Sequence, residues 1–160
     1  MRKRSKARTL VTAQFTLLGV ISITALLAMK RETHTYIAFE SLVILCGTLV
    51  LLFAWKALRP SLQISPIPKD GAIFISRGIY KYVRHPMYLS VILIGFGMAG
   101  YADNPVAWIS ELALILLLNV KATFEDGMLR EKYPEAWHYQ RHTSKVLPCL
   151  GGSCRDNCVN

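Results

Sequence analysis

The sequence predicts an all-α integral membrane protein with about four transmembrane helices. Three observations carry that prediction. The 160 residues are strongly basic, with a formal charge of +9, yet 52% of them are hydrophobic and the mean hydropathy is positive. The apolar residues gather into four blocks almost free of charge, and the Lys and Arg residues gather in the segments outside them. A soluble nucleic-acid binder would share the charge but not the hydropathy, so nucleic acid is excluded as a partner. Basic segments beside long apolar blocks face anionic membrane lipid instead.

Residues 1–9 carry Arg2, Lys3, Arg4, Lys6 and Arg8 and no acid, and residues 10–29 follow without a charge. That run is too long, and residues 26–31 too poor a cleavage site, for a removed signal peptide, so a retained spanning helix is predicted over 10–29. A short turn leads to a second span over 36–58, with Glu40 near its start and Trp55 and Lys56 near its end as interfacial anchors. Arg59-Pro60 stops it. Residues 59–86 are polar and hold several prolines; within them 71–76 fit either a short strand or an extended loop. Pro86 opens a third span over 87–101 and Pro105 a fourth over 105–124, with only Ala102, Asp103 and Asn104 between, which predicts a tight helical hairpin. The third is short for a full crossing; it reaches across where the bilayer thins or where its start is recessed. With four crossings, residues 1–9, 59–85 and 125–160 share the face that holds nearly all Lys and Arg. The positive-inside rule then makes the protein multi-pass with both termini cytoplasmic. Residues 1–160 read as a single membrane domain.

The stretch over 77–90, RGIYKYVRHPMYLS, interleaves Arg77, Lys81 and Arg84 with Tyr80, Tyr82 and Tyr88, and its His-Pro pair opens the third apolar block. Proline at the first position of a helix costs nothing, since its missing N–H would be unpaired there. His85 therefore marks a helix start. Arg84 and His85 are expected beside unpaired backbone donors and the positive end of the helix dipole, which together attract an anion. Glu125 and Asp126 end the fourth block on the same side. Cations, an imidazole, a phenol and two carboxylates thus converge at the boundary between water and lipid. A zwitterionic small molecule fits this set, its carboxylate toward Arg84 and its ammonium or ribose hydroxyls toward Glu125. Each residue alone has a plainer reading, as a snorkelling cation or a solvated helix end. The combination is what points to a ligand.

These residues resemble a known signature. GIYKYVRHPMYL is similar to the motif of the isoprenylcysteine carboxyl methyltransferase family, membrane enzymes related to the phospholipid methyltransferases. Gly78, Tyr80, Arg84, His85, Pro86 and Tyr88, then Glu125 and Leu129, then Tyr139, Lys145 and Pro148 follow its pattern over residues 71–148. Asp126 stands where that family has a second Glu, and Lys145 where Arg is usual; Lys cannot make the flat two-point contact of Arg. The resemblance implies S-adenosylmethionine as cofactor, held in a cytoplasmic C-terminal region by Tyr80, Arg84, His85, Pro86, Tyr88, Glu125 and Asp126. It also implies a lipophilic acceptor entering from the bilayer, either prenylcysteine carboxylate-like or phospholipid-like. The methyl donor is already activated, so the protein need mainly align the reactants and exclude water. A carboxylate acceptor requires only an orienting cation such as Arg84, Arg130 or Arg141, whereas an amine requires a base, for which Glu125 and His85 are the candidates. A carboxyl O-methyltransferase is expected, with Arg84, Glu125 and Arg141 as catalytic residues.

Two other readings compete. Lys132-Tyr133 and Trp137 followed by Tyr139 loosely resemble the tail of the membrane sterol and steroid reductases, which use NADPH, although Met87 stands where those proteins have Asn. A non-enzymatic membrane subunit is the third reading, left open by Asp126 and Lys145. Gly95, Gly97 and Gly100 spell G-x-G-x-x-G inside a spanning helix with no strand before it, so they are expected to admit a close helix or cofactor rather than to cradle phosphate. Glu111 is an acid within an apolar block, expected to line a cavity or lie near the interface. Cys149, Cys154 and Cys158 have no standard zinc spacing, and no metal is expected.

Overall fold

The computed structural model describes residues 2–29, 36–58 and 78–147. Among the described residues five α-helices follow in order: α1 (Arg2–Ala28), α2 (Ile37–Leu58), α3 (Pro86–Ala102), α4 (Pro105–Lys132) and the short α5 (Glu135–His142), with a 3-10 turn over Gly78–Lys81 before α3. The protein is an all-α membrane protein. Ser5–Ala28, Ile37–Leu58 and Pro105–Lys132 are long and apolar enough to cross a bilayer, while Pro86–Ala102 is a shorter apolar helix. At 1.5 Å per residue α3 spans ~26 Å, a little under a typical hydrocarbon core. The expected strand-or-loop at 71–76 lies outside the described residues, as do Arg77, Pro148 and the cysteines of the tail.

The α3–α4 hairpin is built by three consecutive residues. Asp103 ends α3 in the left-handed region (φ 42, ψ 51), and its N–H donates to Ala99 O and Gly100 O. Asp tolerates that conformation better than most residues because its short polar side chain crowds the backbone little. Asn104 then caps α4, its side chain accepting from the Val106 N–H at 2.8 Å, and Pro105 takes the first helical position. The same logic opens α3: Pro86 needs no backbone partner, and His85 O accepts from Tyr88 N and Leu89 N.

Two boundaries differ from expectation. The basic tract at residues 2–8 belongs to α1 itself, because Lys, Arg and Ala are good helix formers. Helix α4 continues eight residues past the apolar block, to Lys132, with Arg130 and Lys132 facing the negative end of its dipole. Glu125 and Asp126 consequently lie within a helix rather than at its end.

Helix α3 is central and packs against α1, α2 and α4, and α1 also packs against α4. Without a hydrophobic drive in lipid, such crossings depend on small residues that let backbones approach. Gly97 meets α2, where an added Cβ would lie 2.9 Å from Glu40 O; Gly47 of α2 meets Leu93 and Ile94 in return. Ala25, Ala99, Ala102 and Ala107 close the α1–α3–α4 junction at the hairpin end. Ile21, Leu114 and Leu118, all fully buried, fill its middle. Gly95 faces α4, and a Cβ there would collide with the Glu111 carboxylate. The glycine pattern is thus a packing device split between two neighbours, and Glu111 is buried in the space that Gly95 leaves. Phe39, Leu42, Leu49, Phe53, Ile109 and Leu116 are exposed on the outside, where lipid would cover them.

Candidate functional site

The site begins with a turn, residues 78–81, and a strap, the tail residues 143–147 that follow α5. Gly78 (φ 63) enters the 3-10 turn, and Tyr82 N and Val83 N donate to Ile79 O. The chain then runs beside the tail: Val83 and Ser144 form an isolated parallel bridge, Arg84 N donates to Ser144 O at 2.8 Å, and His85 N donates to Lys145 O at 3.0 Å. This corrects one expectation. The backbone donors of Arg84 and His85 are taken by the tail, since buried N–H groups left without water must find a partner in the chain.

The side chains do converge. Arg84 Nη1 donates to Asp126 Oδ2 at 2.6 Å, and His85 Nε2 lies 2.9 Å from Asp126 Oδ1. Tyr88 OH donates to Glu125 Oε2 at 2.7 Å, and His85 Nδ1 stands 3.6 Å from the same oxygen. The His85 and Tyr88 rings stack, with centroids 5.2 Å apart and planes 8° from parallel. The N-terminus of α3 thus presents the Arg84 guanidinium, the His85 ring and the Tyr88 hydroxyl to two adjacent carboxylates on α4, an arrangement built on charge-assisted bonds. The two acids are not equivalent. Both Asp126 oxygens are engaged and its side chain is 8% exposed, whereas that of Glu125 is 27% exposed. Arg84 keeps one donor in reserve: its Nε is buried and has no partner among the described residues.

Helix α5 and the strap close one side. Gln140 Nε2 donates to the Asp126 carbonyl at 3.0 Å, and Tyr139 OH donates to the Tyr80 carbonyl at 2.5 Å. Burial raises the Tyr139 phenol above its usual range, and burial together with the Glu125 charge raises that of Tyr80. Both hydroxyls therefore remain protonated, and Tyr139 acts as a lasting donor. Lys145 Nζ fastens the strap to α4 through Asn119 Oδ1 at 2.7 Å and Thr123 Oγ1 at 2.5 Å.

Arg84, His85, Tyr88, Glu125 and Asp126 thus form one cluster, with Pro86 buried at the helix start and Tyr80 near enough to feel Glu125. Arg141 is placed differently. It is exposed on α5 with its guanidinium 4.2 Å from the centre of the Trp137 ring, and Arg130 is exposed in the last turn of α4. Sequence reading missed Lys121 and Gln14. Lys121 is buried at 3% exposure, donates to Gln14 Oε1 at 2.6 Å and lies 5.0 Å above the Tyr88 ring. The available signal was a lysine one turn before Glu125 and one amide in the first apolar block. Among the described residues, no group of three or more His, Cys, Asp or Glu side chains is placed to hold a metal ion.

A model of the phospholipid methyltransferase family matches residues 41–136, which run from α2 into α5 and contain every residue of the Arg84–Asp126 cluster. No curated protein matches the chain. With more than half of its length matched, and with the membrane helices described above, the chain belongs to the phospholipid methyltransferase family of membrane enzymes.

Proposed function

We propose that this protein transfers a methyl group from S-adenosylmethionine to a lipophilic acceptor at the cytoplasmic membrane face, in the manner of the isoprenylcysteine carboxyl methyltransferases. The observation that carries the reading is the division of labour between the acids: Asp126 locks Arg84 and His85, while Glu125 stays partly open and Arg84 Nε is buried without a partner among the described residues. A buried donor left unpaired is costly, so this atom marks a place for an acceptor. The amino-acid end of S-adenosylmethionine brings both complements, a carboxylate for Arg84 and an ammonium or ribose hydroxyl for Glu125, and so fits the residues present. When bound, that cofactor supplies a methyl group on a sulfonium, already activated toward displacement.

The chain's own residues then have defined tasks. Arg84 holds the anionic end and Glu125 the cationic or hydroxyl end. Tyr88 and His85 fix the Glu125 carboxylate, and Asp126 keeps Arg84 and His85 in place. Tyr80 and Pro86 shape the wall, and the Tyr139 and Lys145 contacts hold the tail against the site, excluding water. A carboxylate acceptor needs no base. An amine acceptor would place Glu125 or His85 as proton acceptor. Arg141 is exposed on α5 beside Trp137, outside the cluster, so Arg84 is the better candidate for that role. The family's name supports a phospholipid and the Arg-His-Pro-Met-Tyr motif supports a prenylcysteine carboxylate; the latter is the proposed acceptor class. Orientation follows from the basic segments, with a multi-pass chain and both termini cytoplasmic.

The test is methyl transfer itself. Protein in nanodiscs is given S-adenosylmethionine labelled in its methyl group, with a farnesylcysteine analogue in one arm and phosphatidylethanolamine vesicles in the other. Base-labile label in the prenylcysteine arm is expected. Label only in the phospholipid arm would overturn the carboxyl type, and label in neither, with no cofactor binding, would overturn the cofactor.

A further inference from the structure

Helix α1 lies outside the residues that match the family, yet it reaches the site. The link is Gln14, buried at 9% exposure, whose Oε1 accepts from Lys121 Nζ. Lys121 is enclosed by three helices, each of which supplies one compensating group: an amide oxygen from α1, the face of Tyr88 from α3, and the Glu125 charge one turn along α4. A lysine at such a place is costly unless its neighbours replace water. The order of these contacts matters for the site. Tyr88 gives its hydroxyl to Glu125, and Glu125 also feels His85 and Asp126. An ammonium released by Gln14 has its next best acceptor in Glu125, because residues four apart on a helix face each other. There it competes with the Tyr88 hydroxyl and with the positive group of any ligand.

We propose that Gln14 is a positioning residue of the site: by holding Lys121 against α1 it keeps the Glu125 carboxylate turned to Tyr88 and open to a cationic or hydroxyl-bearing ligand group. The proposal rests on the reading of Glu125 as a ligand-binding carboxylate. It makes α1 a contributor to the site as well as a membrane span. A merely structural Gln14 would change how stable the protein is, without changing how the folded protein binds.

The experiment measures S-adenosylhomocysteine affinity by calorimetry and, separately, thermal unfolding, on full-length protein in nanodiscs. Gln14→Leu is expected to weaken binding roughly tenfold, a common scale for coupling between groups that do not both touch a ligand. Gln14→Glu, which still accepts from Lys121, should bind within about threefold of wild type by the same reasoning. Adding Lys121→Met to Gln14→Leu removes the loose ammonium and should restore most of the affinity. Wild-type affinity in Gln14→Leu, whatever its melting temperature, would overturn the proposal. If the wild type itself binds no S-adenosylhomocysteine, the cofactor reading fails first, and a thermal double-mutant cycle of Gln14→Leu with Tyr88→Phe decides this one. Coupling that vanishes in a Lys121→Met background supports the positioning role, and additivity overturns it.

Discussion

Asp126 is a carboxylate one carbon shorter than the glutamate of the motif it resembles, and its bonding explains why the shorter acid serves. One oxygen takes Arg84 Nη1 and the other faces His85 Nε2, at 2.6 and 2.9 Å. Truncation to Asp126→Ala would strand both partners in a poorly solvated place. Breaking a buried pair from one side costs about 3–5 kcal/mol, and the lower end applies because the Arg84 side chain is 16% exposed. Denaturant unfolding in micelles should register a loss near 3 kcal/mol by that comparison; a loss under about 1 kcal/mol would mean the pair is solvent-screened. Tyr139→Phe removes the neutral bond to the Tyr80 carbonyl and should cost about 1 kcal/mol.

At the scale of elements, the crossing of α3 and α4 depends on an acid facing a glycine. Glu111 is 1% exposed, and neither of its oxygens has a hydrogen-bond partner among the described residues. Gly95→Ala would drive a methyl into that carboxylate, with an overpacking cost of about 1–3 kcal/mol. Combining it with Glu111→Ala should recover most of the loss, so thermal unfolding of the four proteins should give a strong positive coupling. Strict additivity would show that the two residues do not share the space. The hairpin itself is held by Asn104, and Asn104→Ala should cost about 1 kcal/mol, read in the same unfolding assay. The element boundaries at Pro86, Ala102 and Pro105 were readable in the sequence because proline, cap residues and the end of an apolar run act within a few residues. The end of α4 was not. Its apolar pattern stops near Phe124 and Asp126 and Gly127 are poor helix formers, so the last two turns rest on tertiary support, from Gln140 of α5 and from Arg84 and His85 on Asp126.

Across the whole molecule, what the sequence concealed is consistently long-range. Arg84, His85, Tyr88, Glu125 and Asp126 were legible as a group because two prolines and a short hairpin determine which helix ends meet. Lys121 and Gln14 are 107 positions apart, and neither apolar block carries a local sign of the other. The strap was hidden for the same reason: Ser144 and Lys145 bind through backbone carbonyls, which any residue possesses. Deleting residues 143–160 should preserve helix content by circular dichroism while S-adenosylhomocysteine binding falls sharply, because the Arg84 and His85 N–H groups lose their partners. Unchanged binding would show that the strap is dispensable. The central claim, a split site whose open acid is Glu125, is tested most directly by ligand-induced stabilisation of the purified protein. At a hundredfold excess over Kd, a ligand adds about 2.7 kcal/mol by mass action. S-adenosylhomocysteine should raise the melting temperature of the wild type but not of Glu125→Ala, and NADPH should raise neither. A response to NADPH alone, or an equal response to S-adenosylhomocysteine in both proteins, would contradict the account.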